Sequence, residues 1–145
     1  MRIKLFVFLI AVLILPMTGL AAQEGSYSFL SFDIGQSFNM NVSDGSLGSS
    51  SIFGINVRIA DPLTIGVTTY GAASFFNIKY DIIPALRAVL GYGGGQTALG
   101  FEIIPFRRQF SGLSTEFKLA PVYTFTGTGI GSGNIRACLL LGIGF

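Results

Sequence analysis

Few of the side chains in this 145-residue chain are equipped for chemistry. There is no histidine, which removes the commonest general base and metal ligand. The single cysteine, Cys138, has no second thiol for a disulfide or for redox exchange. No nucleophile elbow and no metal-ligand spacing occurs. The run Gly127-Thr128-Gly129-Ile130-Gly131-Ser132-Gly133 lacks the third glycine of G-x-G-x-x-G and enters a strand rather than a helix, so it is not a phosphate loop. What remains is charge: Asp33, Asp81, Glu102 and Glu116, interleaved with Arg58, Lys79, Arg87, Lys118 and Arg136. Such a set could line a narrow pore or a proton- or ligand-responsive gate, or its members could neutralise one another as buried ion pairs. Which of the two applies depends on the elements that carry them.

Those elements alternate with a period of two. Counting back from Phe145, one side of the last segment carries Ile143, Leu141, Leu139, Ala137 and Ile135. The other side carries Gly144, Gly142, Leu140, Cys138, Arg136 and Asn134, and a strand sends the two sets to opposite faces. Seven earlier segments behave alike: about Ser28 to Phe38, Ile52 to Ile59, Leu63 to Tyr70, Phe75 to Ile82, Leu86 to Gly93, Ala98 to Ile104 and Thr115 to Phe125. Turn chemistry separates them, including Ala60-Asp61-Pro62, Gly71 to Ser74, Ile83-Pro84, Gly94-Gly95-Gln96 and the glycine-serine loop Thr126 to Gly133. Asn39 to Ser50 reads as a polar loop. Pro105 to Gly112, with Arg107 and Arg108, is either a long turn or an extension of a flanking strand. Pro121 interrupts the seventh segment, since proline cannot donate to a ladder.

Sorted by parity, all nine charged residues fall on the face opposite the apolar stripe, and the turn at Pro84 sets Asp81 across from Arg87. The apolar face, with Phe32, Ile55, Ile65, Ile78, Phe101 and Leu141, runs unbroken from segment to segment. A soluble sandwich would present the reverse arrangement to water. In a membrane, by contrast, a charge on the lipid face costs several kcal/mol, whereas a lumenal charge can find partners. The inward face also carries Gly35, Gly54, Gly66, Gly91, Gly93, Gly100, Gly142 and Gly144, which either leave room in a lumen or relieve crowding where strands coil. Tyr70, Tyr92, Tyr123 and Phe125 at one end and Phe145 at the other suggest two aromatic girdles.

Composition agrees with export and membrane insertion. Met1-Arg2-Ile3-Lys4, the apolar Leu5 to Leu15 and the small-residue region Pro16 to Ala22 make residues 1–22 a secretory signal peptide, leaving 23–145 as one domain. Losing Arg2 and Lys4 leaves 7 basic against 7 acidic residues. That balance gives no basic stripe for nucleic acid. The chain is 50% hydrophobic and 11% charged, yet no run after residue 22 is long enough for a spanning helix. Only a closed barrel then satisfies the backbone in a bilayer. About 123 residues suffice for eight strands and short connections.

With its eight alternating segments, its length and its terminal Phe145, the chain resembles the small eight-stranded bacterial outer-membrane β-barrels, the group of the OmpA transmembrane domain and OmpX. It departs from them in having no tryptophan. The resemblance implies an all-β, eight-stranded antiparallel up-and-down transmembrane barrel in the bacterial outer membrane, monomeric, with both termini on the periplasmic side. It also implies that Leu139, Leu141, Ile143 and Phe145 form a C-terminal signal for the barrel-assembly machinery. Barrel hydrolases and acyltransferases of this class use histidine, so no enzyme activity, cofactor or metal is expected. The expected role is structural anchoring or surface interaction, with the lumen closed by a salt-bridge network and the Asn39–Ser50 loop as the contact surface for an unidentified partner. A narrow pore or small-ligand barrel, and a secreted soluble β-domain, are the alternatives.

Overall fold

The structure, a computed structural model, describes residues 28–127 and 132–145. The expected signal segment 1–22 and the centre of the Thr126–Gly133 loop lie outside them. Eight strands follow in order: β1 (Leu30–Asn41), β2 (Leu47–Ala60), β3 (Leu63–Tyr70), β4 (Ala73–Ile83), β5 (Leu86–Gly93), β6 (Gln96–Phe110), β7 (Leu113–Thr126) and β8 (Asn134–Gly144). Each pairs antiparallel with the next, and β8 pairs with β1, so the sheet closes as an up-and-down barrel. Closure leaves no strand edge to be capped.

The registers fix the shape of the barrel. A path from Ser31 across successive ladders through Asn56, Gly66, Asn77, Gly91, Ala98, Thr124 and Asn134 returns to β1 at Asn41, ten residues further along. With a rise of about 3.3 Å per residue and about 4.8 Å between strands, this stagger tilts the strands by roughly 40°. Each residue then advances about 2.5 Å along the barrel axis. At one rim, here the turn rim, both ends of β1–β8 lie beside the two-residue connections of β2–β3, β4–β5 and β6–β7. The opposite loop rim carries the longer connections β1–β2 and β7–β8. Gly94 and Gly95, with φ of 57° and 75°, make the tight β5–β6 hairpin there.

One boundary differs from the sequence expectation, and two irregular places are settled. The Asn39–Ser50 loop shrinks to Val42–Ser46, because Ser37 to Met40 pair with Ser50 to Leu47 and the ladder carries serines and glycines of poor strand propensity. In what remains, Asn41 Oδ1 accepts from the Ser43 amide at 2.9 Å, an Asx turn, and the Ser46 side chain and amide hold the Asp44 carboxyl below its usual pKa. Pro105 to Phe110 extend β6 beyond a bulge between Ile103 and Phe106, with Ser111-Gly112 as the turn. Pro121 remains within β7, and the β6–β7 ladder passes from Gly100–Val122 to Ile103–Leu119 around it.

Alternation is sustained around the whole barrel. Phe53, Ile55, Val67, Phe76, Ile78, Leu90, Leu99, Phe101, Leu139 and Leu141 project outward and are exposed. Asp33, Lys79, Arg87, Glu102 and Lys118 project inward and are buried. Phe101 is 48% exposed, while its neighbour in sequence, Glu102, is 3% exposed. Charge in the middle and oil on the outside is the reverse of a water-soluble domain.

Candidate functional site: the lumen

The lumen has two layers. Towards the turn rim a chain of ion pairs crosses it from wall to wall. Asp61, in the β2–β3 turn, pairs with Arg58, whose guanidinium also reaches Asp81 Oδ2 at 2.6 Å. Arg87 Nε donates to Asp81 Oδ1 at 2.5 Å, and Arg87 Nη1 to Glu102 Oε2 at 3.1 Å. Lys79 Nζ joins Glu102 Oε1 at 2.5 Å to Asp33 Oδ2 at 3.3 Å. Lys118 Nζ lies 2.7 Å from Asp33 Oδ1, 3.2 Å from Glu116 Oε2 and 4.0 Å from Glu102 Oε2. Arg107 Nε donates to Glu116 Oε1 at 2.7 Å and so joins the chain.

Five carboxylates and five cations are thereby linked, and the layer is neutral. Neutrality within one contiguous network is what lets charges remain out of water, since an isolated buried ion costs far more than it returns. Asn56 Nδ2 donates to Asp33 Oδ2 at 2.9 Å and Asn77 Nδ2 to Thr68 Oγ1 at 2.8 Å, extending the polar layer toward mid-barrel. Among the described residues no three acid or cysteine side chains converge as a metal ion requires. Every lumenal carboxylate is engaged by cations instead.

Towards the loop rim the filling is apolar. Ile52, Phe75, Ala98, Ala120, Val122, Cys138 and Leu140 form one buried cluster, with Tyr70 and Ala73 against it. The Tyr70 and Phe75 rings meet edge to face with centroids 5.6 Å apart. Two of the expected assignments change here. Tyr70 belongs to this inner packing and not to an outward girdle, because its parity is that of Thr68 and Gly66. Arg136 is inside the barrel but apart from the ion-pair chain: its guanidinium lies over the Tyr70 ring at 5.2 Å and its Nε donates to Thr124 Oγ1 at 3.4 Å. The apolar cluster separates it from the carboxylates. Of the nine sequence-assigned lumenal charges, the other eight are brought together.

Sequence parity missed two members. Asp61 joins from a turn, where alternation has no meaning. Arg107 joins because the bulge between Ile103 and Phe106 inserts an extra residue and reverses the facing of everything after it, setting Arg107 across from Glu116. A proline inside an alternating run was the available signal for that shift.

The inward glycines separate into two uses. A Cβ on Gly35 would lie 1.9 Å from the Leu139 carbonyl oxygen, and one on Gly93 would lie 1.9 Å from that of Ser74, so these positions let neighbouring backbones approach. At Gly142 the space is taken by the Lys118 side chain, with Cε at 2.9 Å. Cavities of about 20 Å³ beside Arg58, Arg87 and Arg107 and about 10 Å³ beside Tyr70 and Leu140 remain in the lumen, each with room for about one water.

Towards the C-terminus, Phe145 N donates to Leu30 O at 2.8 Å, and the Phe145 ring packs edge-on against Phe32 with centroids 6.4 Å apart. Leu139, Leu141 and Phe145 are exposed on the outer wall, and Ile143 is half-buried there. No family model matches the chain. No curated protein matches it either. A solved structure from work on the de novo design of transmembrane β-barrels is similar over 83% of this chain and 99% of that one, with 12% sequence identity and a TM-score of 0.38. The closed eight-stranded barrel itself rests on the strand registers of this chain.

Proposed function

We propose that the protein is a non-catalytic barrel of the bacterial outer membrane that spans the lipid as a plugged anchor. The observation that carries this reading is the outer wall. Its exposed side chains are predominantly Phe, Ile, Leu, Val and Tyr on all eight strands, while ten charges are gathered into one neutral lumenal network. Outward hydroxyl and amide groups, Gln36, Ser51, Thr69, Ser74 and Thr97, lie toward the loop rim with Tyr92 and Tyr123, as a boundary between acyl chains and headgroups requires. At the opposite rim Phe145 plays the corresponding part. Export by residues 1–22 and recognition of Leu139, Leu141, Ile143 and Phe145 by the assembly machinery complete the route to that membrane. Any surface partner would meet the first loop, of which Val42–Ser46 remains outside the strands.

Two plugs in series support a closed lumen. An ion-pair layer binds its own charges too tightly to pass solutes, and an apolar layer offers a permeating ion no ligands. The inward glycines fit the same reading, since Gly35 and Gly93 meet neighbouring backbone and Gly142 meets the Lys118 side chain. Planar-bilayer recording of the refolded protein tests this: the expected trace is silent, and stable unitary conductance would overturn the plugged reading.

A further inference from the structure

The β6–β7 hairpin projects beyond the turn rim, losing its neighbour on the β5 side first and on the β8 side only at its end. On one side, β6 pairs with β5 only as far as Leu86–Ile103, and on the other, β7 meets β8 only from Ser114–Gly144 onward. From Phe106 to Phe110 the β6 side of the hairpin is therefore unpaired, while β7 keeps β8 beside it as far as Ser114, so that Phe110 to Leu113 form a tip free on both sides, which extends roughly 10 Å past the neighbouring β4–β5 turn. A hairpin end without flanking strands is marginal in water. Its outward face is nevertheless apolar: Phe106 and Phe110 are 54% and 61% exposed, and Leu113 is exposed beside them. Between the two phenylalanines stands Arg108, the one charged residue on the outward face of the described strands, exposed and with its guanidinium 5.6 Å from the centre of the Phe110 ring.

We infer that this tip is a lipid-phosphate anchor: Arg108 binds the phosphate of anionic phospholipid headgroups in the leaflet at the turn rim, with Phe106, Phe110 and Leu113 seated beside it. The inference rests on the membrane reading above. Two features choose lipid as the occupant. The apolar face of the tip continues directly into the outer wall, since Phe106 pairs with Phe117 and Thr115 with Ile143. Moreover, an arginine flanked by aromatic rings suits the level where acyl chains give way to phosphates, with the guanidinium supplying several donors to one anion. Phe110 beneath the guanidinium holds it on the outer side, facing lipid rather than the lumen.

The chain contains no tryptophan, so a single introduced indole reports its own position without background. Phe110→Trp and, separately, Leu141→Trp on the mid-wall are refolded into vesicles of phosphatidylglycerol and phosphatidylcholine. Lipids labelled with a quencher at the headgroup or along the acyl chain then locate each indole. The expected result is headgroup-level quenching of Phe110→Trp and acyl-level quenching of Leu141→Trp. In the Phe110→Trp background, Arg108→Gln should reduce the preference for labelled phosphatidylglycerol over labelled phosphatidylcholine by about fivefold, the ratio equivalent to about 1 kcal/mol per basic residue. Arg108→Lys should retain the preference. If Phe110→Trp stays open to aqueous quencher while Leu141→Trp lies among acyl chains, the anchor is overturned and membrane insertion stands. If both indoles are in water, both readings fall. An unchanged lipid preference in Arg108→Gln overturns the phosphate contact specifically.

Discussion

Asp33 is the residue on which the lumenal network turns. Its two oxygens face two lysines, Lys79 and Lys118, and Asn56 donates to it as well. Removing it leaves two buried cations sharing fewer carboxylates. Asp33→Ala should therefore lower unfolding stability in lipid by about 3–5 kcal/mol, the usual cost of breaking a buried pair from one side. Arg136→Gln, which gives up one hydrogen bond and a ring contact, should cost only about 1 kcal/mol. Urea titration of the two variants in the same vesicles checks the difference, and equal losses would contradict the special place of Asp33. Which way each of these charges faces was legible from alternation alone. Which charge meets which was not, because partners across a barrel are set by their heights, and heights depend on a ten-residue stagger that no local pattern records. Arg136 shows this: its parity puts it inside, but only the register puts an apolar layer between it and the carboxylates.

At the scale of the element, the strands depend on where their backbones are allowed to touch. Gly35 and Gly93 sit where a Cβ would overlap a carbonyl oxygen of the adjacent strand, and such overlap cannot be relieved without moving a ladder. Gly142 instead faces the far end of the Lys118 side chain, which can shift. Gly35→Ala should thus cost about 1–3 kcal/mol, in the range of overpacked sites, and Gly142→Ala less than Gly35→Ala. Circular dichroism melts, or the fraction that remains compact on unheated gels, would rank the two, and the reverse order would refute the distinction. The turns were readable beforehand because Asp61-Pro62, Pro84 and Gly94-Gly95 are residues whose chemistry favours turning. The β1–β2 ladder beyond Ser37 was not readable, since Ser49, Ser50 and Gly48 have the composition of a loop and are held in strand by their neighbours. The β6 bulge escaped for a related reason: one extra residue changes the facing of all that follow without changing composition.

For the whole molecule, the closed barrel follows from eight amphipathic strands with no helix among the described residues to cover the outer face. In the proposed membrane setting lipid covers that face, and the paired charges are the corresponding solution inside. Side chains of the same type therefore meet opposite surroundings on the two faces of the barrel wall. Phe101 and Phe75 are both phenylalanines on strands of the same barrel, one 48% exposed on the wall and the other 1% exposed in the lumen. Single-tryptophan replacements at these two positions, refolded into vesicles containing acyl-brominated lipid, provide the most direct measurement. The expected result is strong bromine quenching of Phe101→Trp and little of Phe75→Trp; quenching of Phe75→Trp with Phe101→Trp unaffected and accessible to aqueous quencher would contradict the membrane-facing wall outright.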